Sequence, residues 1–186
     1  MNIDEVKRSF ITLKQMLEDR KMDISNLSCI SDQELLAMIK ANQIFTLKVN
    51  DNFHIVYYMH SKFKISDMKR YIPDDSHIIL IFKEKINTQN IKNIKELTTN
   101  TIEIFMLSEL MYNITHHYLV PKHDICSSDE INEIMTIYKI KQKTQFPCIL
   151  KTDPMARYLG LKQGNIVKIT RPSPSAGETI VYRYCV

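Results

Sequence analysis

The sequence predicts an α+β protein in two parts, an amino-terminal α/β domain with a mixed sheet over residues 1–112 and a small α+β domain over residues 113–186. Three observations carry this prediction. Helical periodicity and β-branched runs alternate through the first part, the pattern of helices laid on a sheet. All the glycines, Gly160, Gly164 and Gly177, lie near the carboxyl end with Pro172 and Pro174 among them, so turn chemistry is concentrated there. Charge shifts as well: residues 1–110 carry 15 Lys+Arg against 15 Asp+Glu, whereas residues 134–186 carry nine basic residues against Asp153 and Glu178.

Ile3, Val6, Phe10, Leu13 and Leu17 recur at steps of three and four, which predicts a helix over Ile3–Lys21. Ser31 and Glu34 form a capping-box pattern ahead of Leu35, Leu36, Met38 and Ile39, where a second helix begins. IFTLKV (44–49) and FHIVYYM (53–59) read as a hairpin, joined by Asn50-Asp51-Asn52, whose side chains tolerate tight turns. A short helix is expected over Ser66–Tyr71. HIILIFK (77–83) has the unbroken apolar texture of a strand covered on both faces. Ile91, Ile94 and Leu97 give a helix over 88–97, and TIEIFM (101–106) another strand, so a β-α-β crossover with parallel strands follows.

After a histidine-bearing segment at 113–123, Ser127 and Glu130 repeat the capping box and predict a helix over about 128–138. Asp153-Pro154 is a helix start and Gly160 the stop. NIVKITR (165–171) and TIVYRYC (179–185) have strand composition, with Pro172 to Gly177 expected to form a loop and not a tight turn.

Composition narrows function. With 186 residues, 44% hydrophobic and 25% charged, the chain is an ordinary globular one. No run approaches the ~20 apolar residues of a membrane span, and Asp4, Glu5, Lys7 and Arg8 stand where a signal-peptide core would be. A soluble, intracellular protein is expected, with no membrane partner. Cys29, Cys126, Cys148 and Cys185 show no CxxC spacing and read as reduced, buried apolar residues. His116, His117 and His123 fall near Cys126 but complete no closed metal site, and no cofactor is expected.

Enzyme chemistry finds little support. Pro73-Asp74 ahead of a strand hints at a nuclease, but no acidic residue downstream of Asp74 is followed two positions later by lysine. No glycine precedes Gly160, which excludes a glycine-rich phosphate loop in the α/β part, and Ser173 and Ser175 lack a nucleophile elbow. The basic carboxyl end fits either a nucleic-acid face or an acidic protein partner. A free-standing nucleic-acid-binding protein is the alternative to a subunit of a larger assembly.

Tyr138-Lys139, Pro147, Asp153-Pro154, Ala156, Tyr158, Gly160, Gly164, Val167-Lys168-Ile169, Arg171, Ser173, Gly177 and Tyr182-Arg183 form an ordered set, with NITHHYLVPKH (113–123) and SSDE (127–130) upstream. This set resembles the fifth subunit of eukaryotic-type DNA-dependent RNA polymerases, a family with an archaeal counterpart that corresponds to the carboxyl-terminal part alone. The resemblance implies a jaw domain near downstream double-stranded DNA over residues 1–112 and an assembly domain docked on the largest subunit over 113–186. It also implies a non-catalytic component of a nucleotidyltransferase complex that includes the rest of the polymerase. Abundant lysine, isoleucine and asparagine suit an AT-rich genome, such as that of a large DNA virus or a protist. The location implied is the nucleus for a cellular protein, and a cytoplasmic viral factory or virion for a viral one.

Two residue sets follow. Arg157, Tyr158, Lys168, Arg171 and Arg183 are candidates for binding the largest subunit: the arginines project planar donor forks at carboxylates, and an edge strand could add main-chain hydrogen bonds. Lys62, Lys64, Lys69 and Arg70 are candidates for the DNA-proximal surface, where they would touch phosphates without reading sequence.

Overall fold

The structure, a computed structural model, describes residues 3–41, 43–60, 63–64, 71, 77–96 and 101–186. It divides into two compact units, Met1–Tyr112 and Asn113–Val186.

The first unit opens with helix α1 (Ile3–Asp19), whose buried face holds Val6, Phe10, Leu13, Met16 and Leu17. The helix ends two residues before the expected limit. Lys21 takes φ 58°, its N–H donates to the Glu18 carbonyl, and the Met22 N–H donates to the Leu17 carbonyl. Those paired bonds close a helix through a left-handed residue, a place usually held by glycine. A short helix α2 (Ser25–Ser28), unmarked by any apolar period, precedes α3 (Asp32–Ala41). The expected box ahead of α3 forms: the Glu34 N–H donates to Ser31 Oγ, and the Ser31 N–H donates to Glu34 Oε2.

Strands β1 (Ile44–Asn50), β2 (Phe53–Tyr58), β3 (His77–Phe82) and β4 (Ile102–Met106) form one sheet in the order β1-β2-β3-β4. The β1–β2 hairpin is antiparallel, and β2–β3 and β3–β4 are parallel. Helix α4 (Thr88–Glu96) makes the crossover between β3 and β4 and buries Ile94. Ile78 to Ile81 are fully buried, as expected of a strand covered on both faces. Their apolar continuity, with no polar alternation, is what a parallel strand inside a sheet needs. A charged network around Glu103 is built into this unit. Glu103 on β4 accepts from Arg20 Nη1 and Nη2 at 3.0 and 2.7 Å and pairs with His77 Nε2 at 2.8 Å.

The second unit holds a sheet in the order β5-β7-β8-β6, made of β5 (Lys122–Ile125), β6 (Cys148–Ile149), β7 (Ile166–Ser173) and β8 (Gly177–Cys185). Helix α5 (Ser128–Ile137) packs Ile131 and Ile134 against Ile166, Tyr182 and Tyr184 on one face of this sheet. Short helix α6 (Pro154–Tyr158) is capped by Asp153 Oδ1, which accepts from the Met155 N–H at 2.9 Å. Both α5 and α6 end as α1 does, α5 through Lys139 at φ 54° and α6 through Gly160 at φ 65°.

Two expectations change here. Residues 172–177 are not a loop throughout, because β7 runs on through Pro172 to Ser173 and pairs with β8 as far as Gly177, which leaves only 174–176 as a turn. Pro172 is tolerated since β5 pairs only as far as Thr170 and Pro172 turns its donorless nitrogen away from β8, so no ladder bond is lost. The cysteines are free, as expected, but only Cys185 is buried; Cys29 and Cys148 are exposed, on the end of a four-residue helix and on a two-residue edge strand. The expected helix over 66–71 lies, for residues 66–70, outside the described residues.

Candidate docking site in the carboxyl-terminal unit

The pleat of β7 and β8 sorts the basic residues onto two different faces. Opposed pairs run Val167–Arg183, Ile169–Val181 and Arg171–Thr179, alternating with Lys168–Tyr182 and Thr170–Ile180. Side chains alternate along a strand, so odd-numbered positions share one face and even-numbered ones the other. The even face lies under α5. The odd face forms the wall of an open cleft of about 360 Å³, with an apolar floor of Ile149, Met155, Ile169 and Val181 and with Arg171 and Arg183 among its lining residues.

Arg171 opposes Thr179, and Arg183 lies four residues further along β8. At the rise of an extended strand the two arginine positions stand roughly 13 Å apart. Both side chains are exposed, and neither makes an ion pair among the described residues. His123 and Asp153 complete the polar part of the lining. His123 Nδ1 donates to the Pro121 carbonyl at 2.7 Å, and Asp153 is committed to capping α6. The cleft therefore presents two uncommitted guanidinium groups around an apolar floor. The chemistry of that arrangement suits a carboxylate-bearing segment: guanidinium forks match carboxylates in geometry and charge, and an apolar floor suits apolar side chains.

Lys168 is elsewhere. It sits on the helix face opposite Asp124 of β5. There its charge, after the hydrogen bonds from Ser127, helps to hold the Glu130 carboxyl below its ordinary value. Burial raises the Cys126 thiol beside it. Tyr158 is buried and serves the core, and Arg157 is half-buried on α6. Of the five candidates, the structure brings Arg171 and Arg183 into one cleft and does not bring Lys168 to it. Composition could not supply His123, Asp153 or Met155 as cleft residues, because His123 comes from β5 and the other two from α6 and its cap, 30 residues further along the chain. Of the DNA-proximal candidates, Lys64 is exposed, and its N–H donates to the Tyr58 hydroxyl at 3.1 Å. Lys62, Lys69 and Arg70 lie outside the described residues.

Comparison with known proteins decides the family. Residues 112–185 match the model described as RNA polymerase Rpb5, C-terminal domain. The Dictyostelium discoideum protein named DNA-directed RNA polymerases I, II, and III subunit rpabc1 is 33% identical over 186 residues, covering 94% of this chain and 94% of that protein. The chain belongs to the Rpb5 family. The RPABC1 proteins of Caenorhabditis elegans and Caenorhabditis briggsae are each 48% identical over 85 residues, which is 46% of this chain and 40% of either protein. The Rpb5 match takes in the whole cleft, from Val120 and Pro121 to Arg183. Similarity to the Dictyostelium relative extends beyond that domain, so both units belong to the family likeness.

Proposed function

We propose that the chain is a non-catalytic subunit of a multisubunit DNA-dependent RNA polymerase, whose carboxyl-terminal unit docks on the largest subunit and whose amino-terminal unit acts as a jaw beside downstream DNA. The observation that carries this reading is similarity along 94% of the chain to a protein named as a subunit of RNA polymerases I, II and III. The cleft supports the docking half, since Arg171 and Arg183 offer unpaired forks to a partner's carboxylates. Arg157, Lys168 and Tyr158 then contribute by shaping the module around that contact. In the jaw, Lys62, Lys64, Lys69 and Arg70 supply phosphate contacts that carry no sequence information. The place of action is that of the polymerase, the nucleus in a cellular setting.

Size-exclusion chromatography of a native extract tests the assignment. The chain should elute with the polymerase, and the double substitution Arg171→Glu, Arg183→Glu should release it by weakening docking about tenfold or more, as expected for reversal of interfacial charge. Elution only as a monomer that shifts DNA by itself would overturn the polymerase reading in favour of a free nucleic-acid-binding protein.

A further inference from the structure

Strand β8 leaves one edge of the second sheet open. It pairs with β7 along its length, but on its other side β6 covers only Tyr184 and Cys185. The direction of the edge groups follows from the hydrogen bonds at that end. The Tyr184 N–H donates outward to the Pro147 carbonyl at 2.8 Å, whereas the Cys185 N–H donates inward to the Asn165 carbonyl at 2.8 Å. Main-chain groups alternate in direction along a strand, so those of Tyr182 and Ile180 also point outward. Among the described residues neither amide has an acceptor. Exposed edges of this kind are normally blunted or filled by another strand.

The two faces beside this edge differ in charge. Above it, on the helix side, stand Ile180 at 44% exposure and Tyr138 at 59%, with the Tyr138 and Tyr182 rings 6.2 Å apart. That side carries two carboxylates, Glu130 and Glu133, which both act on the Tyr182 hydroxyl, and against them Lys168 of β7, which opposes Tyr182 and acts on Glu130. Below it, on the cleft side, stand Val181 and the unpaired Arg183, with Arg171 beyond.

We propose that the open edge of β8 accepts an extended segment of the partner chain as an added strand, and that this segment alternates apolar and acidic residues. Its main chain would bond to Ile180 and Tyr182. Its apolar side chains would lie against Ile180, Tyr182 and Tyr138, while its carboxylates point into the cleft toward Arg183 and Arg171. The reverse parity would set carboxylates beside Glu130 and Glu133, where Lys168 already has an acidic neighbour in Glu130, and would leave Arg183 and Arg171 unmatched, so charge favours one register; a one-residue slip exchanges the faces. A second copy of this chain is a poorer occupant, because it would bring Arg183 and Arg171 against a site that is already basic. The inference rests on the docking reading for the partner's identity, but the recognition chemistry can be tested without the polymerase.

The probe is a synthetic peptide of alternating valine and glutamate with blocked termini, titrated into the full chain while the Ile180 and Tyr182 amide resonances and their hydrogen exchange are followed. Binding should protect both amides, weaken with added salt, and fall about tenfold or more for the lysine-for-glutamate peptide. N-methylating alternate residues of the peptide gives two versions, one blocked on the edge that meets β8 and one on the outer edge; only the first should lose binding. Ile180→Pro in the protein should act like the first, because that N–H takes no part in the β7 ladder. Equal binding of the two methylated peptides, equal binding of the lysine peptide, or amide protection that appears with protein concentration alone would each overturn strand addition. Those outcomes are separate from co-elution with the polymerase: binding of the peptide by a chain that never co-elutes would defeat the polymerase reading and leave the edge site standing.

Discussion

Lys21 and Lys139 hold a backbone conformation ordinarily left to glycine, and both do so two residues past the last residue of a helix, at φ 58° and 54°. A side chain in the left-handed region costs about 1–2 kcal/mol. Part of that is regained because glycine loses more entropy on folding, so Lys21→Gly should raise stability by roughly 0.5 kcal/mol. Gly160→Ala, at φ 65°, should lower it by about 1 kcal/mol. Chemical denaturation of the three proteins checks both signs. Glu103 makes the larger prediction. Burial alone would raise its carboxyl, but the hydrogen bond from His77 and the charge of Arg20 outweigh it and leave the group below its ordinary 4.5. A lowered folded value means that the stabilisation is fully present above about pH 5 and is lost as pH falls below the unfolded value through the folded one. Arg20 is only 6% exposed, so Glu103→Ala leaves a buried cation and should cost about 3 kcal/mol near neutral pH. The cost should shrink in acid, and an unchanged difference between the two proteins down to acid pH would refute it. Glu103 stood in the sequence as one polar position of a strand; nothing marked Arg20, 83 residues away, as its partner.

Elements were legible where period and punctuation agreed. The boxes at Ser31 and Ser127 both form, because a hydroxyl and a carboxylate three residues apart satisfy two amides at once. Ser127→Ala should therefore destabilise by about 1 kcal/mol and fray α5 first, visible as faster amide exchange over its first turn. Strands β5 and β6 escaped because KHDI has no apolar alternation and two residues cannot show a period. The end of β7 escaped because proline at 172 looks like punctuation, when what matters is whether its missing donor faces a partner strand. The site was legible in part. Charge singled out Lys168, Arg171 and Arg183 together, yet parity alone already separates Lys168 from the other two, since 168 is even and 171 and 183 are odd on paired strands. What could not be read was the pairing itself, on which that parity depends.

At the scale of the molecule, the family likeness covers both units, while the basic excess belongs to only one of them. Residues 1–110 balance 15 basic against 15 acidic groups, so any attraction of the amino-terminal unit to DNA must come from a local cluster and not from net charge. Lys62, Lys64, Lys69 and Arg70 form such a cluster in the sequence, and Lys64 is exposed. If these four make phosphate contacts inside an assembled polymerase, each contributes close to 0.9 to the slope of log affinity against log salt, so neutralising all four should flatten that slope by about 3.6. The change belongs to DNA affinity alone: docking through Arg171 and Arg183 should be untouched, and the altered chain should still co-elute with the polymerase. Measuring DNA affinity of wild-type and substituted complexes across a salt series separates the two roles. An identical slope would remove DNA contact from this cluster and leave the neutral amino-terminal unit with a protein-facing role.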